Sequence, residues 1–365
     1  MHVPGPDSQT RRQSLRQIGC AAAAAVVGVS PAIATAADRS RVELSFCFVS
    51  DTHYLARKEQ PEVLDDRSAD VCRRLVETLN ALEGEVIPQE AGGGAVRGIQ
   101  GVIHGGDIVD SADKRGAVYE RMIATEFAAF EADFGLTGRD GLLKYPVYEV
   151  HGNHDGPQGD TLVVDGIRRR NRERPGLTNI SENGLHYTWD WGRARFINLG
   201  IVAGESGDGR QRRRYAPLGS LPFLRQVLQQ HQSVSQPLVV TQHIDVARYS
   251  VPWTADEEKF LQHEWHPQDV QEFHQALRPH RLAVDFFGHT HSRSVYGWNG
   301  SKERQSLDGN SIKAFNSDNA AHFAGDKQAF FYVEILPEGL KVREVFTEDA
   351  WRSHHWTPEV WNVTG

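Results

Sequence analysis

Histidine, aspartate and asparagine recur in this sequence directly after short apolar stretches. The most pronounced case is the segment 145–155, in which Tyr-Pro-Val-Tyr-Glu-Val is followed by His-Gly-Asn-His-Asp. The apolar and β-favouring residues predict a buried strand, and Gly152 allows the backbone to turn sharply after it. Open α/β sheets hold their ligands at the carboxyl ends of the strands. We therefore expect Asn153, His154 and Asp155 to lie at a functional site.

Four other predicted strands also end in a carboxylate or an imidazole. A lone His after a strand, or a single Asp-x-His, is weak evidence, since polar loop residues are common there. Five such strand ends in one chain are stronger evidence for a shared site. Their side chains offer oxygen and nitrogen donors and no thiolate, which suits zinc, manganese or iron and argues against a structural cysteine-type zinc site. The candidate metal ligands are Asp51, His53, Asp107, Asn153, His243, His289 and His291.

The elements that must position these residues alternate in the first half of the chain. Strands are predicted at 42–50, 99–104 and 146–150, and apolar residues at helical spacing predict helices at 68–82 and 116–134. This βαβαβ order is typical of a layered α/β sheet.

The second half predicts further strands and two shorter helices. Helices are predicted from residue 220 and at 267–277, and an antiparallel hairpin at 185–199. We expect the arginine-rich stretch 168–174 to be a solvated helix face. The remaining predicted strands are 237–241, 282–287, 312–316 paired with 329–335, and 340–346.

Taken in order, these motifs resemble the calcineurin-like metallophosphoesterases, over residues 42–295. The resemblance implies an α/β fold, a two-sheet β-sandwich flanked by helices, with a dinuclear centre of divalent or transition metal ions (Mn, Fe or Zn). It implies that Asp51, His53, Asp107 and His291 hold one metal, that Asp107, Asn153, His243 and His289 hold the other, and that Asp107 bridges them. The matching motifs are Asp51-x-His53, Gly106-Asp107, Gly152-Asn153-His154-Asp155, His243 and Gly288-His289-Thr290-His291.

The implied activity is hydrolysis of a phosphodiester or a phosphomonoester by attack of a metal-bridging hydroxide. We expect His154 to face the substrate, where it would either stabilise charge on the phosphoryl oxygens or protonate the leaving oxygen, and Asp155 to fix the tautomer of His154 and raise its basicity. The alternative is a non-catalytic, metal-containing binding module on the same fold. Asp110 stands where purple acid phosphatases would have a tyrosine, so the pattern is closest to the phosphodiesterase-like branch.

Substrate contacts must come from loops beside the metal ligands. Tyr54 is adjacent to a ligand, Trp253 lies ten residues after His243, and the segment 316–322 follows a predicted strand. These residues could contact a leaving group, although aromatic packing without specificity is an equal alternative.

The amino terminus differs from the rest of the chain. Arg11-Arg12 precedes an apolar run at 18–29 and a small-residue series at 32–36, and the run is too short to span a bilayer. This pattern resembles a twin-arginine signal peptide, which implies export by the Tat machinery to the periplasm or the exterior. We therefore divide the chain into a signal peptide (1–36), a catalytic domain (37–350) and a tail (351–365) whose tryptophans pack on the body.

Composition limits the classes of partner. With 39% apolar and 24% charged residues the 365-residue chain is typical of a globular protein. Loss of residues 1–36 takes the net charge from −8 to −10, and an acidic body is poorly suited to tracking nucleic acid. We expect a small-molecule phosphate ester as substrate and no stable membrane span. Cys47 and Cys72 are expected to be buried thiols, although a single bridge between them remains an alternative.

Overall fold

Two β-sheets form the centre of this computed structural model, which describes residues 42–205, 214–230, 236–249, 264–280, 282–307, 309 and 311–364. The strands, in chain order, are β1 (Leu44–Val49), β2 (Ala56–Arg57), β3 (Gln60–Leu64), β4 (Ile99–His104), β5 (Val147–Glu149), β6 (Asn179–Ile180), β7 (Tyr187–Trp191), β8 (Ala194–Asn198), β9 (Leu238–Thr241), β10 (Ala283–Phe286), β11 (Arg293–Trp298), β12 (Ile312–Ser317), β13 (Gln328–Leu336), β14 (Gly339–Thr347) and β15 (His355–Thr364).

The six-stranded sheet has the order β15-β14-β13-β1-β4-β5, and the seven-stranded sheet has the order β11-β12-β10-β9-β8-β7-β6. In the first sheet, β1, β4 and β5 run parallel. In the second sheet, β8, β9, β10 and β12 run parallel. The carboxyl ends of neighbouring parallel strands therefore lie at one edge of each sheet.

Helices cover the outer faces of the sheets. Among the described residues they are α1 (Asp66–Ala81), α2 (Ala117–Phe134), α3 (Leu162–Glu173), α4 (Ser220–Gln230), α5 (Val246–Tyr249) and α6 (Pro267–Leu277), with a 3₁₀ turn at Gln89–Ala91. Helix α1 begins where the Asp65 carboxylate accepts hydrogen bonds from the backbone N–H groups of Arg67 and Ser68. Thr161 caps α3 in the same way through the N–H of Val164.

Successive side chains of strand β1 point to opposite faces of the sheet and so contribute to two different hydrophobic cores. Phe46 and Phe48 belong to the core that also contains Phe196 and Phe286 of the other sheet, so their side chains point between the two sheets. The intervening residues Cys47 and Val49 point the other way and pack among side chains of α1, α2 and α3. A third core lies between the seven-stranded sheet and α4 and α6. The predicted fold, a two-sheet sandwich flanked by helices, is therefore confirmed.

The pairing predicted for 312–316 with 329–335 is wrong. Strand β12 pairs with β10 and β11 in one sheet, whereas β13 pairs with β1 and β14 in the other. Alternation along a strand predicts that the strand exists, but it contains no information about which strand lies beside it. The connection from β12 to β13 crosses from one sheet to the other.

The prediction that the stretch 168–174 is a solvated helix face is wrong for two of its arginines. Arg170 and Arg174 are buried, and both bind the buried carboxylate of Glu149. Arg168 and Arg169 pair with Asp165 and Glu131 nearer the surface, as a solvated face would. A buried Glu149 on β5 requires opposite charge nearby, because an unpaired buried carboxylate is costly.

The last segment contributes a whole strand. β15 pairs antiparallel with β14 at the edge of the six-stranded sheet. Trp351 and Trp356 are buried, and Trp361 contacts the rings of Phe315 and Phe331. The expected packing of these tryptophans on the body is confirmed. Cys47 and Cys72 are free, buried thiols, and no helix of the described residues is long and apolar enough to cross a membrane.

Candidate metal centre

The turns that follow the central strands hold their polar residues in a rare backbone conformation. Positive φ angles, between 45° and 71°, occur at Asp51, His53, Asp107, His289 and His291. Residues other than glycine seldom adopt this left-handed region, which costs about 1–2 kcal/mol each. Strain of this kind is retained mainly at functional sites. Five of the seven candidate ligands share it.

The first group of candidate ligands comes together from three turns. The Nε2 atoms of His53 and His291 lie 3.1 Å apart, and His291 Nε2 is 3.2 Å from Asp51 Oδ1. His53 Nε2 is 3.6 Å from Asp107 Oδ2. Donor atoms that share one ion at bonds of about 2.1 Å stand roughly 3.0–3.4 Å apart. These four side chains therefore lie where ligands of one metal would.

The second group surrounds the other side of Asp107. His243 Nε2 is 3.1 Å from Asp107 Oδ2 and 3.2 Å from Asn153 Oδ1. His289 Nδ1 is 2.8 Å from the same Asn153 oxygen. The Asp107 Oδ2 atom thus lies between His53 of the first group and His243 of the second. The structure brings all seven candidate ligands to one place.

Glycines make this close packing possible. A Cβ atom at residue 152 would overlap both the carboxylate and the backbone nitrogen of Asp107. A Cβ atom at residue 288 would overlap Ser50 and the Asp51 carboxylate. At residue 106, where φ is 100°, a Cβ would also meet the His243 ring. The glycines next to the ligands are therefore required by the approach of neighbouring backbones.

The hydrogen bonds of the histidines fit metal binding. His243 Nδ1 donates to the carbonyl oxygen of Gly105 at 2.8 Å, so in the neutral ring Nε2 keeps the lone pair that a metal ion beside Asp107 would take. His289 Nε2 lies 2.9 Å from Glu264 Oε2, which leaves Nδ1 to face Asn153. His53 Nδ1 lies 3.3 Å from Asp110 Oδ1, which leaves Nε2 to face the first group. An acceptor on the outer nitrogen is the usual partner of a metal-binding histidine.

The electrostatics of the buried cluster favour positive charge. Burial by itself would lower the pKa of His53, but the neighbouring carboxylates of Asp110 and Asp51 outweigh it and raise that pKa to about 10. His243 is also buried, yet the charge of Asp107 raises its pKa to about 9. Burial would raise the pKa of Asp51, but the neighbouring rings of His291 and His53 hold it well below its usual range. A site that holds protons this strongly also stabilises a divalent cation.

His154 lies at the rim of the cluster, and its ring centroid is 4.9 Å from that of His53. Its backbone N–H donates to Asp107 Oδ1 at 2.8 Å, and its Nδ1 donates to the carbonyl oxygen of Asp110 at 3.0 Å. The carbonyl group can only accept, so the neutral ring carries its proton on Nδ1. His154 Nε2 is then available to a substrate.

The expectation that Asp155 fixes the tautomer of His154 is wrong. The Asp155 carboxylate is buried and accepts hydrogen bonds from the backbone N–H groups of Ile108, Val109 and Gly152. It therefore joins the turn after β4 to the turn after β5. Both oxygens of the Asp155 carboxylate are engaged by these backbone groups, and His154 Nδ1 is engaged by the Asp110 carbonyl instead.

Two side chains near the site were not singled out as supports by sequence reasoning. Glu264 Oε2 lies 2.9 Å from the outer nitrogen of His289, and Asp110 Oδ1 lies 3.3 Å from that of His53. His322 belongs to the segment 316–322 that was suggested as a substrate contact, and its ring centroid lies 4.6 Å from that of His53. No spacing rule marks Glu264, 25 residues before its partner. Asp110 had a local signal, since it follows a ligand by three residues.

Two suggested substrate contacts have different outcomes. Tyr54 is fully buried, and its hydroxyl donates to Asp133 Oδ2 at 2.9 Å, so it is a core residue and that suggestion is wrong. The turn at His53 directs the next side chain into the core beneath α2. Trp253 lies outside the described residues.

Comparison with protein families identifies one match. The family described as calcineurin-like phosphoesterase matches residues 44–293, more than half of the chain. The chain belongs to this family. It is a metal-dependent phosphoester hydrolase, and the matched region contains all seven candidate ligands of the phosphoesterase.

Comparison with solved structures finds similar proteins at low sequence identity. A dimetal phosphatase from Danio rerio is 15% identical, with 88% of this chain and 99% of that chain covered and a TM-score of 0.48. A purple acid phosphatase from seeds of yellow lupin, Lupinus luteus, is 11% identical, with 82% of this chain and 51% of that chain covered and a TM-score of 0.51. PhoD is 11% identical, with 87% of this chain and 72% of that chain covered and a TM-score of 0.46. The phosphoesterase thus spans about half the length of the lupin enzyme. No curated protein sequence is significantly similar to it.

Proposed function

We propose that the protein is an exported phosphoesterase that hydrolyses a small phosphodiester or phosphomonoester at a dinuclear metal centre. One observation carries the dinuclear assignment. Asp107 Oδ2 lies 3.6 Å from His53 Nε2 and 3.1 Å from His243 Nε2, so one carboxylate oxygen belongs to both groups of ligands. Asp51, His53, Asp107 and His291 would hold one ion, and Asp107, Asn153, His243 and His289 the other.

When bound, two divalent ions supply positive charge for the phosphoryl oxygens and lower the pKa of water so that it can attack phosphorus. The chain itself supplies the positions of the reacting groups. Asp51 and Asp107 are the two carboxylates among the ligands, so two divalent ions leave the cluster positive and able to attract an anionic ester. The buried, strained turns hold the donors without further rearrangement.

His154 is placed to protonate the leaving group. Its Nδ1 proton is held by the Asp110 carbonyl, with the Asp113 carboxylate 3.7 Å from the same nitrogen. With Nδ1 held in this way, Nε2 is the ring nitrogen that can deliver a proton to the departing ester oxygen. Asp155 contributes indirectly, because it fixes the loop that carries His154 against the loop that carries Asp107.

Two matched variants test the proposal. Purified wild-type protein should contain about two metal ions per chain and hydrolyse bis(p-nitrophenyl) phosphate, p-nitrophenyl phosphate or both. Asp107→Asn should lose metal and activity together. His154→Asn should keep its metal while kcat falls by about a hundredfold or more, the usual contribution of an acid-base group.

Metal content and rates separate the possible failures. Wild-type protein without transition metal and without hydrolysis of either ester would refute the proposed centre. Full metal content and an unchanged rate in Asp107→Asn would remove Asp107 as the bridge. Loss of metal from His154→Asn would make His154 a ligand and end its assignment to the leaving group.

The proposal of export rests on the amino-terminal sequence, which lies outside the described residues. Arg11-Arg12 and the apolar run after them suggest passage of the folded protein through the Tat machinery to the periplasm or exterior. Recovered exported protein should begin after Ala34 or Ala36. Replacing both arginines with lysine should retain the protein in the cytoplasm, and export unaffected by that change would contradict this route.

A further inference from the structure

A third histidine borders the first group of metal ligands, and the proposed function gives it no role. The ring centroid of His322 is 4.6 Å from that of His53 and 4.8 Å from that of His291. One ring nitrogen from each of these three residues lies within 4.8 Å of the others. His322 is half-buried, so it can reach both the cluster and a ligand that enters from solvent.

The loop that carries His322, residues 318–326, is held in place from inside the fold. The N–H of Ala320 donates to the carbonyl of Ser50 at 2.7 Å, immediately before the turn that carries Asp51. The Ala320 carbonyl accepts a hydrogen bond from Trp351 Nε1 at 2.7 Å. The N–H of His322 donates to the Asn319 side chain at 2.9 Å. The loop is therefore attached to the metal-binding end of β1.

The base of this loop also binds the turn that carries two metal ligands. Asn316 Nδ2 donates to the Gly288 carbonyl at 2.7 Å and to Thr290 Oγ1 at 2.9 Å. Asn316 Oδ1 accepts from the N–H of Asp318 at 3.0 Å. The turn around His289 and His291 and the 318–326 loop thus form one hydrogen-bonded unit.

Helix α1 holds the outer side of the loop. The Arg67 guanidinium donates to the carbonyls of Phe323 and Gly325 and to the Asp326 carboxylate. Phe323 stacks on the His322 ring, with centroids 4.5 Å apart and an interplanar angle of 20°. The imidazole is therefore held in one orientation before any substrate binds, which lowers the entropic cost of the contact.

The hydrogen bonds of His322 determine what the ring can do. Its Nδ1 accepts a hydrogen bond from the N–H of Ala324 at 3.1 Å, so Nδ1 carries the lone pair and the neutral ring carries its proton on Nε2. The candidate metal-binding histidines have the opposite arrangement, because their outer nitrogen faces an acceptor and not a donor. A metal on Nε2 would require both nitrogens to offer lone pairs. His322 is thus suited to donate a hydrogen bond and unsuited to bind the metal.

We infer that His322 is a substrate-binding residue whose Nε2–H donates a hydrogen bond to a non-bridging phosphoryl oxygen of the ester bound beside His53 and His291. This inference rests on the proposed function, because a phosphoryl group must lie at the two-metal centre for the contact to form. His154 and His322 then lie near His53 with opposite tautomers. His154 protonates the leaving oxygen, and His322 donates a hydrogen bond to an oxygen that stays on phosphorus.

The experiment measures the binding of inorganic phosphate to the metal-loaded protein by calorimetry, together with KM, kcat and metal content. In His322→Ala we expect the Kd for phosphate and the KM for p-nitrophenyl esters to rise about ten- to a hundredfold, the effect of a hydrogen bond to a charged group, with metal content unchanged. In His322→Gln, the amide keeps an N–H donor and should recover part of the affinity. His354→Ala is the matched control, since His354 binds Glu85 away from the centre, and it should resemble wild type.

The outcomes are distinguishable. A wild-type holoenzyme that neither binds phosphate nor hydrolyses esters would overturn the proposed function and this inference with it. A hydrolytic wild type with unchanged phosphate affinity in His322→Ala would overturn the inference alone. Loss of metal from His322→Ala would also overturn it, because His322 would then be a ligand. Equal losses in His322→Gln and His322→Ala would count against the hydrogen bond as the cause.

Discussion

Three histidines at the centre of this phosphoesterase each depend on a residue that no metal would touch. Asp110 Oδ1 lies 3.3 Å from the outer nitrogen of His53, the Gly105 carbonyl accepts a hydrogen bond from that of His243, and Glu264 Oε2 lies 2.9 Å from that of His289. Each acceptor favours one tautomer of the neutral ring and so favours one nitrogen facing the cluster. Burial would raise the pKa of Asp110, but the neighbouring His53 ring and the Lys114 ammonium, 2.7 Å away, hold that pKa below its usual range. At the scale of single residues, the site therefore includes these supporting acceptors as well as the candidate metal ligands.

Glu264 offers a test of whether these acceptors support the histidines. Glu264→Ala removes the acceptor from His289 Nε2, so the ring can rotate or change tautomer. We expect the affinity of the second metal to fall about ten- to a hundredfold, while the first metal stays bound. Metal titration monitored by calorimetry measures this directly. Glu272→Ala is the control, because Glu272 pairs with Arg225 at a distance from the ligands. Equal affinities in Glu264→Ala and wild type would show that this contact has no supporting role.

Among the elements, the strand before the Gly-Asn-His-Asp turn and the helix after it are joined by buried charges. The Glu149 carboxylate on β5 lies 2.7 Å from both Arg170 Nε and Arg174 Nη2. Arg174 also lies over the rings of Tyr148 and Tyr187. Because β5 and α3 are tied together, the loop between them is held at both ends. This ion pair at the base of the loop helps to place Asn153 and His154 against Asp107.

Glu149 makes stability depend on pH in a defined direction. Burial would raise its pKa, but the charges of Arg170 and Arg174 outweigh burial and lower it to about 2, from 4.5 in the absence of such partners. A folded-state pKa below the unfolded value contributes stability that is fully present above pH 4.5 and is lost as pH falls towards 2. The contribution is about 3 kcal/mol.

The measurement is urea unfolding of chelator-treated protein at pH 7 and pH 3.5. Glu149→Gln should be less stable by about 3–5 kcal/mol at pH 7, because it leaves buried guanidinium groups without their partner. Its stability should also fall less than that of wild type on acidification. Asp165→Asn is the control on the same helix, since its pair with Arg168 is exposed and should change stability by less than about 1 kcal/mol. A Glu149→Gln variant as acid-sensitive as wild type would contradict this account.

For the whole molecule, the candidate metal centre lies where turns from the two sheets meet. Asp51, Asp107 and Asn153 follow strands of the six-stranded sheet, whereas His243 and His289 follow strands of the seven-stranded sheet. A pair of ions shared by these residues would link the sheets beyond the apolar core between them. The five left-handed ligand residues also carry backbone strain that metal coordination would offset.

Removal of metal should therefore lower global stability. A ligand at a thousandfold excess over its Kd stabilises the folded state by about 4 kcal/mol, so chelation should lower the melting temperature by several degrees. Calorimetric melting of wild type with and without chelator measures the shift. Asp107→Asn, which lacks the shared carboxylate, should melt at nearly the same temperature in both conditions. A wild-type melting temperature that chelation leaves unchanged would show that the ions do not join the sheets.

Much of this architecture follows from local sequence. The strand 99–104 and the helix 267–277 have the bounds that their residue patterns predict, and every candidate ligand lies two to five residues after the end of a buried strand, as expected. Alternation and helical spacing report burial of neighbouring residues, so they identify elements without knowledge of the fold. The order of motifs is sufficient to identify the family.

Only the tertiary structure decided which distant residues meet. The different sheets of β12 and β13, the burial of Arg170 and Arg174, the backbone partners of Asp155 and the contact of Glu264 with His289 all depend on contacts between residues far apart in the chain. A short polar motif specifies what a side chain can bind, but its partner is set by how turns and sheets pack around it. The sequence therefore determined the candidate donors and their order, and the packing of two sheets determined the position of Asp107 between the two groups of donors and the residues that contact them.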